Sequence, residues 1–271
     1  MFKMAVIQMQ SSNRLEANLE KMEAWVREAS ENKADAIAFP EMAYFTGPPE
    51  ECREIIAKCP SLLERWAGWA KKYKILLIPG SLREPSPRGK NKYFNLLPVF
   101  SPAGQLMAQY RKIFLFKANL PDREYDEPKY CDPGDQLVHF QWNDIRFGLS
   151  VCFDLRFPEF FRALKKRGAQ VVLLPSAFTV PTGKQHWKPL IVSRAIENQF
   201  FMIAPAQVGR SGSGSEKYGH SLAVSPWGKT LLDMETKEGL AVCEISLSVI
   251  EEHRKKLDAW ACRREELFPI A

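Results

Sequence analysis

In Gly148-Leu149-Ser150-Val151-Cys152-Phe153-Asp154-Leu155-Arg156-Phe157-Pro158-Glu159, an apolar strand pattern that begins at Ile145 runs straight into a cysteine, and a helix is expected to open at Pro158. Cys152 therefore falls at a strand-to-helix corner, where a side chain is exposed and backbone N–H groups of a helix start lie close by. Such a corner suits a thiolate nucleophile, because the helix N-terminus and neighbouring cations favour the charged form of the thiol.

Outward from this corner, strands and helices alternate. Phe2 to Gln10 reads as a buried strand. Arg14 to Lys33 carries Leu15, Leu19, Met22, Trp25, Val26 and Ala29 at helical spacing. Ala34 to Pro40 is a strand ending at Glu41. Ser61 to Lys74 is a helix with Ser61 and Glu64 as a capping box, followed by a strand from Ile75 to Leu82. Tyr93 to Phe100 and Gln105 to Phe116 flank a hairpin turn at Ser101-Pro102-Ala103-Gly104. Lys117 to Asp135 reads as irregular. Beyond the helix that ends at Gly168, strands (Ala169 to Phe178, Phe200 to Gln207, His220 to Pro226) surround a helix from Gly183 to Asn198. A hairpin pair, Thr230 to Met234 and Gly239 to Leu247, precedes a last helix over Ser248 to Trp260. Pro85 to Lys90 and Ser211 to Ser215 read as surface loops, the second a mobile one at a site rim. Helical crossovers mixed with hairpins imply an α/β (α+β) fold of mixed sheets covered by helices. Two sheets packed face to face would satisfy the pattern, but periodicity alone leaves the second sheet open. No linker divides the chain, so residues 1–271 are expected to form one domain.

The chain has 271 residues, 45% of them apolar and 26% charged, enough for a large core. Its net charge of +6 is spread among interspersed acids and bases, which argues against a nucleic-acid partner. No apolar run is long enough to cross a membrane, and the N-terminus begins a strand at once, without a signal peptide's pattern. Cys52, Cys59, Cys131, Cys152, Cys243 and Cys262 form no CxxC pair, so free thiols in a reducing, cytoplasmic compartment are expected. The four histidines match no zinc spacing. Gly228-Lys229-Thr230 echoes a phosphate loop, but Ala223 stands where that loop needs glycine.

A cysteine nucleophile needs a base, and a cation or N–H donors for an oxyanion. Glu41 directly follows an apolar strand in Ala38-Phe39-Pro40-Glu41, where burial would raise its basicity. Lys112 sits among aromatic and aliphatic residues in Tyr110-Arg111-Lys112-Ile113-Phe114-Leu115-Phe116. Taken singly, each has a bland alternative, a solvated loop acid or an edge-guarding lysine. In order, however, Phe39-Pro40-Glu41, Tyr110-Arg111-Lys112 and the cysteine stretch resemble the nitrilase superfamily of carbon–nitrogen hydrolases. The resemblance covers nearly the whole chain. It extends to Asn95, Asp132-Pro133-Gly134, Arg194-Ala195-Ile196-Glu197-Asn198, Tyr218-Gly219-His220-Ser221 and Pro226-Trp227-Gly228. It implies a four-layer α-β-β-α sandwich and a triad of Glu41, Lys112 and Cys152. The family's additional glutamate corresponds to Glu127, with Glu124 close by. The implied chemistry is attack of Cys152 on an amide carbonyl, an oxyanion held by Lys112 and the Phe153 backbone N–H, and proton transfer by Glu41 through a thioester, with no cofactor and no metal.

Within that family, Pro175-Ser176-Ala177-Phe178, Thr182-Gly183, His186-Trp187 and Ala206-Gln207-Val208-Gly209-Arg210 resemble amidases of deaminated glutathione and the related omega-amidases. Their substrates carry a carboxylate, and the positions that would bind it are Arg156 and Thr182. The alternative for Arg156 is a structural salt bridge to Asp154 or Glu159. Met42-Ala43-Tyr44-Phe45 and the added charge of Lys184 depart from the subgroup pattern. Ser150 reads as packing, and His186 and Trp187 as pocket or core. Other activities on this fold (nitrilase, N-carbamoyl hydrolase, acyltransferase) and a non-catalytic binding role remain open. The resemblance also implies a homodimer, with contacts from Phe157 to Arg167 and the C-terminal segment. Phe160, Phe161, Trp260 and Phe268 are the candidate apolar contacts, unless they are core.

Overall fold

The computed structural model describes residues 1–89, 92–121 and 124–269, so Lys90 of the Pro85 to Lys90 loop lies outside the described residues. The first half contains β1 (Phe2–Gln8), α1 (Leu15–Glu31), β2 (Ala36–Ala38), α2 (Pro49–Ile56), α3 (Cys59–Tyr73), β3 (Leu76–Ile78), β4 (Leu82–Pro85), β5 (Tyr93–Phe100) and β6 (Leu106–Arg111). A small hairpin, β7 (Lys117–Asn119) and β8 (Glu124–Asp126), leads to β9 (His139–Trp142), β10 (Ile145–Leu149), α4 (Pro158–Lys166) and β11 (Val171–Leu173). Then come α5 (Val180–Thr182), α6 (Lys188–Asn198), β12 (Phe201–Ala204), β13 (Val208–Arg210), β14 (Glu216–Tyr218), β15 (Leu222–Val224), β16 (Thr230–Asp233), β17 (Gly239–Ile245) and α7 (Leu247–Lys256).

One sheet runs β17-β1-β2-β3-β5-β4 with β6 on β5, and the other runs β16-β15-β12-β11-β10-β9. The central strands β1, β2 and β3, and likewise β10, β11 and β12, are parallel, with antiparallel strands outside them. Strands buried on both faces must be apolar throughout, and β2, β3, β11 and β12 are wholly buried. The two-residue period of β1 shows the layering. Met4 and Val6 join the core that also holds Phe147 and Leu149 of the other sheet. Ala5 and Ile7 face Leu19 and Met22 of α1 and Trp66 of α3. On the far side, Phe161 of α4 and Ile191 of α6 cover the second sheet. The result is a four-layer α-β-β-α sandwich.

Several elements differ from the sequence expectations. The helix read from Ser61 starts at Cys59, and the Ser61 hydroxyl donates back to the Lys58 carbonyl at 2.9 Å, so no capping box forms. The strand read over Ile75 to Leu82 breaks into β3 and β4 around Gly80, whose positive φ of 78° puts a would-be Cβ 1.9 Å from the Pro40 carbonyl oxygen. β16 and β17 are not a hairpin: β16 pairs with β15, while β17 crosses to the other sheet beside β1. The segment read as irregular holds β7, β8 and a 3-10 turn at Glu127–Lys129. Ser211 to Ser215 is a tight β13–β14 turn with Ser211 and Ser215 buried. The Gly212 N–H is tied to Ser11 and Thr46, so it is packed down rather than loose.

Candidate active site

β10 ends at Leu149, and the chain turns at Cys152 into a 3-10 turn (Cys152–Arg156) before α4 begins at Pro158. Cys152 itself has φ of 48°, a left-handed conformation that costs a non-glycine residue energy and is held by its surroundings. Its N–H donates to the Pro175 carbonyl at 3.0 Å. Ser150 is fully buried and its hydroxyl donates to the Leu173 carbonyl at 2.8 Å, a packing role. α4 thus opens at Pro158, where the sequence predicts it, six residues beyond the thiol. What lies against the sulfur is the Ala177 N–H, which hydrogen-bonds it.

Glu41 follows β2 on a turn that is pinned by the Gln207 side chain, which donates to the Glu41 carbonyl at 3.0 Å. Lys112 follows β6. Its N–H donates to the Asn95 carbonyl at 2.9 Å, and its own carbonyl accepts from Gly134 at 2.9 Å. Only glycine permits that approach, because a Cβ on Gly134 would lie 2.2 Å from the Arg111 carbonyl oxygen. Lys112 Nζ donates to Glu41 Oε1 at 3.2 Å and to Glu127 Oε2 at 2.8 Å, and its side chain is 2% exposed. Glu127 opens the 3-10 turn and accepts the Phe116 N–H at 2.6 Å, whereas Glu124 is exposed on β8. Asn95 donates from Nδ2 to Glu41 at 2.9 Å and to Glu127 at 3.4 Å. The Cys152 thiol hydrogen-bonds the Glu41 carboxylate. The four residues Glu41, Lys112, Glu127 and Cys152 therefore meet at one point.

Burial pulls the Glu41 carboxyl upward, but the Lys112 charge and the bonds from Cys152, Asn95 and Lys112 outweigh it, leaving Glu41 below the usual carboxylate range. Burial opposes the Lys112 charge, yet Glu127 and Glu41 hold it well above an ordinary lysine. Burial and then the Glu41 charge push the Cys152 thiol well up, with Lys112 and the Ala177 N–H opposing. The resting site is thus carboxylate, ammonium and neutral thiol. This corrects the expectation of a preformed thiolate: the local charge balance favours the thiol, with a base already bonded to it.

A narrow cavity of about 20 Å³, lined by Cys152, Phe153, Arg156, Phe178 and Thr182 among others, opens beside the sulfur. It has room for little more than one water molecule, so only a slim group reaches the thiol without side-chain movement. The Phe153 N–H has no carbonyl partner among the described residues. Arg156 lies between the rings of Phe153 (5.6 Å) and Phe178 (5.5 Å). Neither Asp154 nor Glu159 pairs with it, which removes the salt-bridge alternative. Asp154 is turned inward to other donors, and among the described residues no carboxylate lies within ion-pair distance of Arg156. Its polar contact is His186 Nδ1 at 3.2 Å. Thr182 is buried and its hydroxyl meets Thr179 Oγ1 at 3.0 Å. The His186–Trp187 pair divides: Trp187 is core and donates to the His220 carbonyl, and His186 is exposed beside Arg156.

Asn95 and His186 are the neighbours whose roles the sequence left open. A buried asparagine inside the apolar run Tyr93–Phe100 was the available signal for the first. For the second, helical spacing leaves pocket and core equally open, and a π turn (Gly183–Trp187) brings it to Arg156 from 30 residues away.

The family model described as carbon-nitrogen hydrolase matches residues 3–255. A deaminated glutathione amidase from Synechocystis sp. is 34% identical, with 93% of this chain and 94% of that protein covered. The omega-amidase NIT2 of Homo sapiens is 33% identical, with 99% and 97% covered. Among solved structures, the NitFhit protein of C. elegans superposes with a TM-score of 0.93 at 32% identity, covering 99% of this chain and 66% of that longer one.

Proposed function

The chain belongs to the carbon–nitrogen hydrolase family and is a hydrolase, and on that premise we propose that it is an amidase cleaving the terminal carboxamide of a small, carboxylate-bearing acid. The observation that carries the proposal is the buried cluster of Cys152 thiol, Glu41 carboxylate and Lys112 ammonium, beside an Arg156 with no acidic partner among the described residues. Glu41 takes the thiol proton as the sulfur attacks the amide carbon. Lys112 and the Phe153 N–H receive the oxyanion. Glu41 then gives its proton to the amide nitrogen, the C–N bond breaks, and ammonia leaves a thioester on Cys152. Water attacks that thioester, losing a proton to Glu41, and the S–C bond breaks with return of the proton to sulfur. The balance is amide plus water to acid plus ammonia. Glu127 holds Lys112 from the other side. Arg156 supplies a fork for the substrate carboxylate and Thr182 a hydroxyl.

The amidase names of the two relatives support a substrate of deaminated-glutathione or 2-oxo acid omega-amide type. Six free cysteines support a reducing, cytoplasmic setting, and no helix is long and apolar enough to cross a membrane among the described residues. We further read residues 1–271 as one catalytic domain. The test is a panel of terminal amides, nitriles and N-carbamoyl acids scored for ammonia, carbon dioxide and acid, with Cys152→Ala beside the wild type. Ammonia from carboxylate-bearing amides and none from Cys152→Ala is expected. Near-native turnover by Cys152→Ala would reject the mechanism.

A further inference from the structure

Asp154, two residues after the cysteine, is fully buried. Its Oδ2 accepts the Val151 N–H at 2.8 Å and the Tyr110 hydroxyl at 2.7 Å, and its Oδ1 accepts the Phe114 N–H at 3.1 Å. The Tyr110 hydroxyl oxygen accepts the Ile113 N–H at 3.2 Å. Val151 immediately precedes Cys152, while Tyr110, Ile113 and Phe114 bracket Lys112. One carboxylate and one phenol thus tie the segment bearing the proposed nucleophile to the segment bearing its proposed oxyanion donor. Among the described residues no cation pairs with Asp154 within ion-pair distance. A buried carboxylate without an ion pair is costly, and the three hydrogen bonds it accepts all come from these two segments.

We propose that Asp154, together with Tyr110, is a positioning residue that fixes the placement of Lys112 relative to Cys152, and that it does so as the carboxylate. The proposal rests on the amidase reading of the same site. An oxyanion donor must sit within a few tenths of an ångström of its hydrogen-bonding distance, so slack between these segments lowers turnover more than binding. Neutral Asp154 carries a proton on one oxygen, which then no longer accepts from the backbone facing it. Burial pushes the Asp154 carboxyl up to about 6, against the Tyr110 hydroxyl, the Val151 N–H, the Lys112 charge and the Phe114 N–H. The titratable groups facing it are Tyr110 and Lys112, both held well above their ordinary values, so neither titrates in that range. Glu41 titrates lower still. On this proposal the acid limb of kcat belongs to Asp154. Removing the Tyr110 hydroxyl, which holds Asp154 down, moves that limb to higher pH.

The experiment compares wild type, Asp154→Asn and Tyr110→Phe on succinamate, from about pH 5 to about pH 8. Reactive sites are counted by mass after iodoacetamide labelling of Cys152, so that kcat is expressed per competent site. Asp154→Asn is expected to lose about ten-fold or more in kcat per site with KM within about three-fold, and Tyr110→Phe to shift the acid limb upward. A role confined to folding would change the number of labelled sites and leave kcat per site and the limb where they were. That result in both variants overturns the proposal, and if Asp154→Asn does not fold, the limb of Tyr110→Phe decides it. Failure of the amidase reading shows separately, as no ammonia from succinamate with the wild type although Cys152 labels, and turnover that survives complete labelling of Cys152 would reject the cysteine mechanism.

Discussion

A thiol held neutral by burial depends on a base that already touches it. That makes Glu41 the side chain on which attack turns. Glu41→Gln keeps the shape and the bond from Asn95 but abolishes the base, and a general base contributes about 10²–10⁴ in rate. Single-turnover acylation should fall by that factor with the fold intact; a loss under about ten-fold would mean that the proton leaves by another route. Arg156 carries the substrate prediction. Removing one partner of a charge-assisted pair costs about 1.5–3 kcal/mol, so Arg156→Met should erase most of the preference for a carboxylate-bearing amide over its neutral ester. An unchanged preference ratio would make Arg156 structural. Glu41, Lys112 and Cys152 were legible because each stands at a strand end in a short motif. The resting thiol was not, because its state is set by burial and by Glu41, which lies 111 positions earlier. Nor was the lone state of Arg156, since Asp154 looked like its partner in sequence but points inward to Tyr110.

The element that presents Thr182 and His186 is a composite helix: α5, a π turn over Gly183–Trp187, and α6. π turns carry an extra residue per turn and often serve sites. Gly183 lets this one lie on Tyr218, because a Cβ there would come within 2.3 Å of the Tyr218 ring. The Tyr218 ring stacks at 4.5 Å on His220, whose carbonyl accepts from Trp187, so the ring has little freedom to retreat. Gly183→Ala should therefore displace the turn, destabilise the protein by about 1–3 kcal/mol, and raise KM for a carboxylate-bearing amide. Labelling of Cys152 by neutral iodoacetamide should stay near the wild-type rate. Unchanged melting temperature and KM together would show that the turn does not depend on this contact. At this scale the sequence told where strands and helices lie but not how they join. β5 was read to the residue because its apolar run is bounded by polar turns. The helix from Gly183 was read without its π turn, which has the same apolar spacing over so short a length. β16 and β17 look like a hairpin in sequence because only the short polar stretch Glu235-Thr236-Lys237-Glu238 stands between the two segments, yet sheet membership is decided by partners far off in sequence, β15 and β1.

Across the whole molecule, two features lie where the second sheet's helical layer meets the C-terminal segment. The first is Lys165 on α4, buried with Nζ donating to the Gln199 carbonyl at 3.4 Å and 5.8 Å from the Trp260 ring centre. Burial pulls this amine down to about 7, with Arg254 adding and Asp258 opposing. The unfolded chain, with an ordinary lysine, binds more protons between that value and about 10.4. Stability from this group therefore rises with pH through that window and is lost as pH falls through about 7. Lys165→Met should flatten the rise in melting temperature above neutrality and stabilise the protein near pH 7 by roughly 1–3 kcal/mol; a wild-type melting temperature that is flat from about pH 7 to about pH 10 would contradict it. The second feature is a concave face of about 1240 Å³, lined by Phe114, Leu137, Phe160, Arg162, Arg263 and Phe268 among others. Of the side chains expected at a dimer contact, Phe161 is wholly core and Phe160 is nearly so, because α4 turns both toward the second sheet. Phe268, by contrast, is 72% exposed at the edge of this face, with Leu267 beside it at 59%. An apolar rim next to arginines and to the acids Asp135 and Glu159 offers both signs of charge, which a two-fold contact can pair. We therefore expect a homodimer of twice the 31.0 kDa chain in solution, with Phe268→Asp shifting it toward monomer while Cys152 labelling is unchanged. Light scattering that gives the single-chain mass for the wild type at micromolar concentration would rule the dimer out.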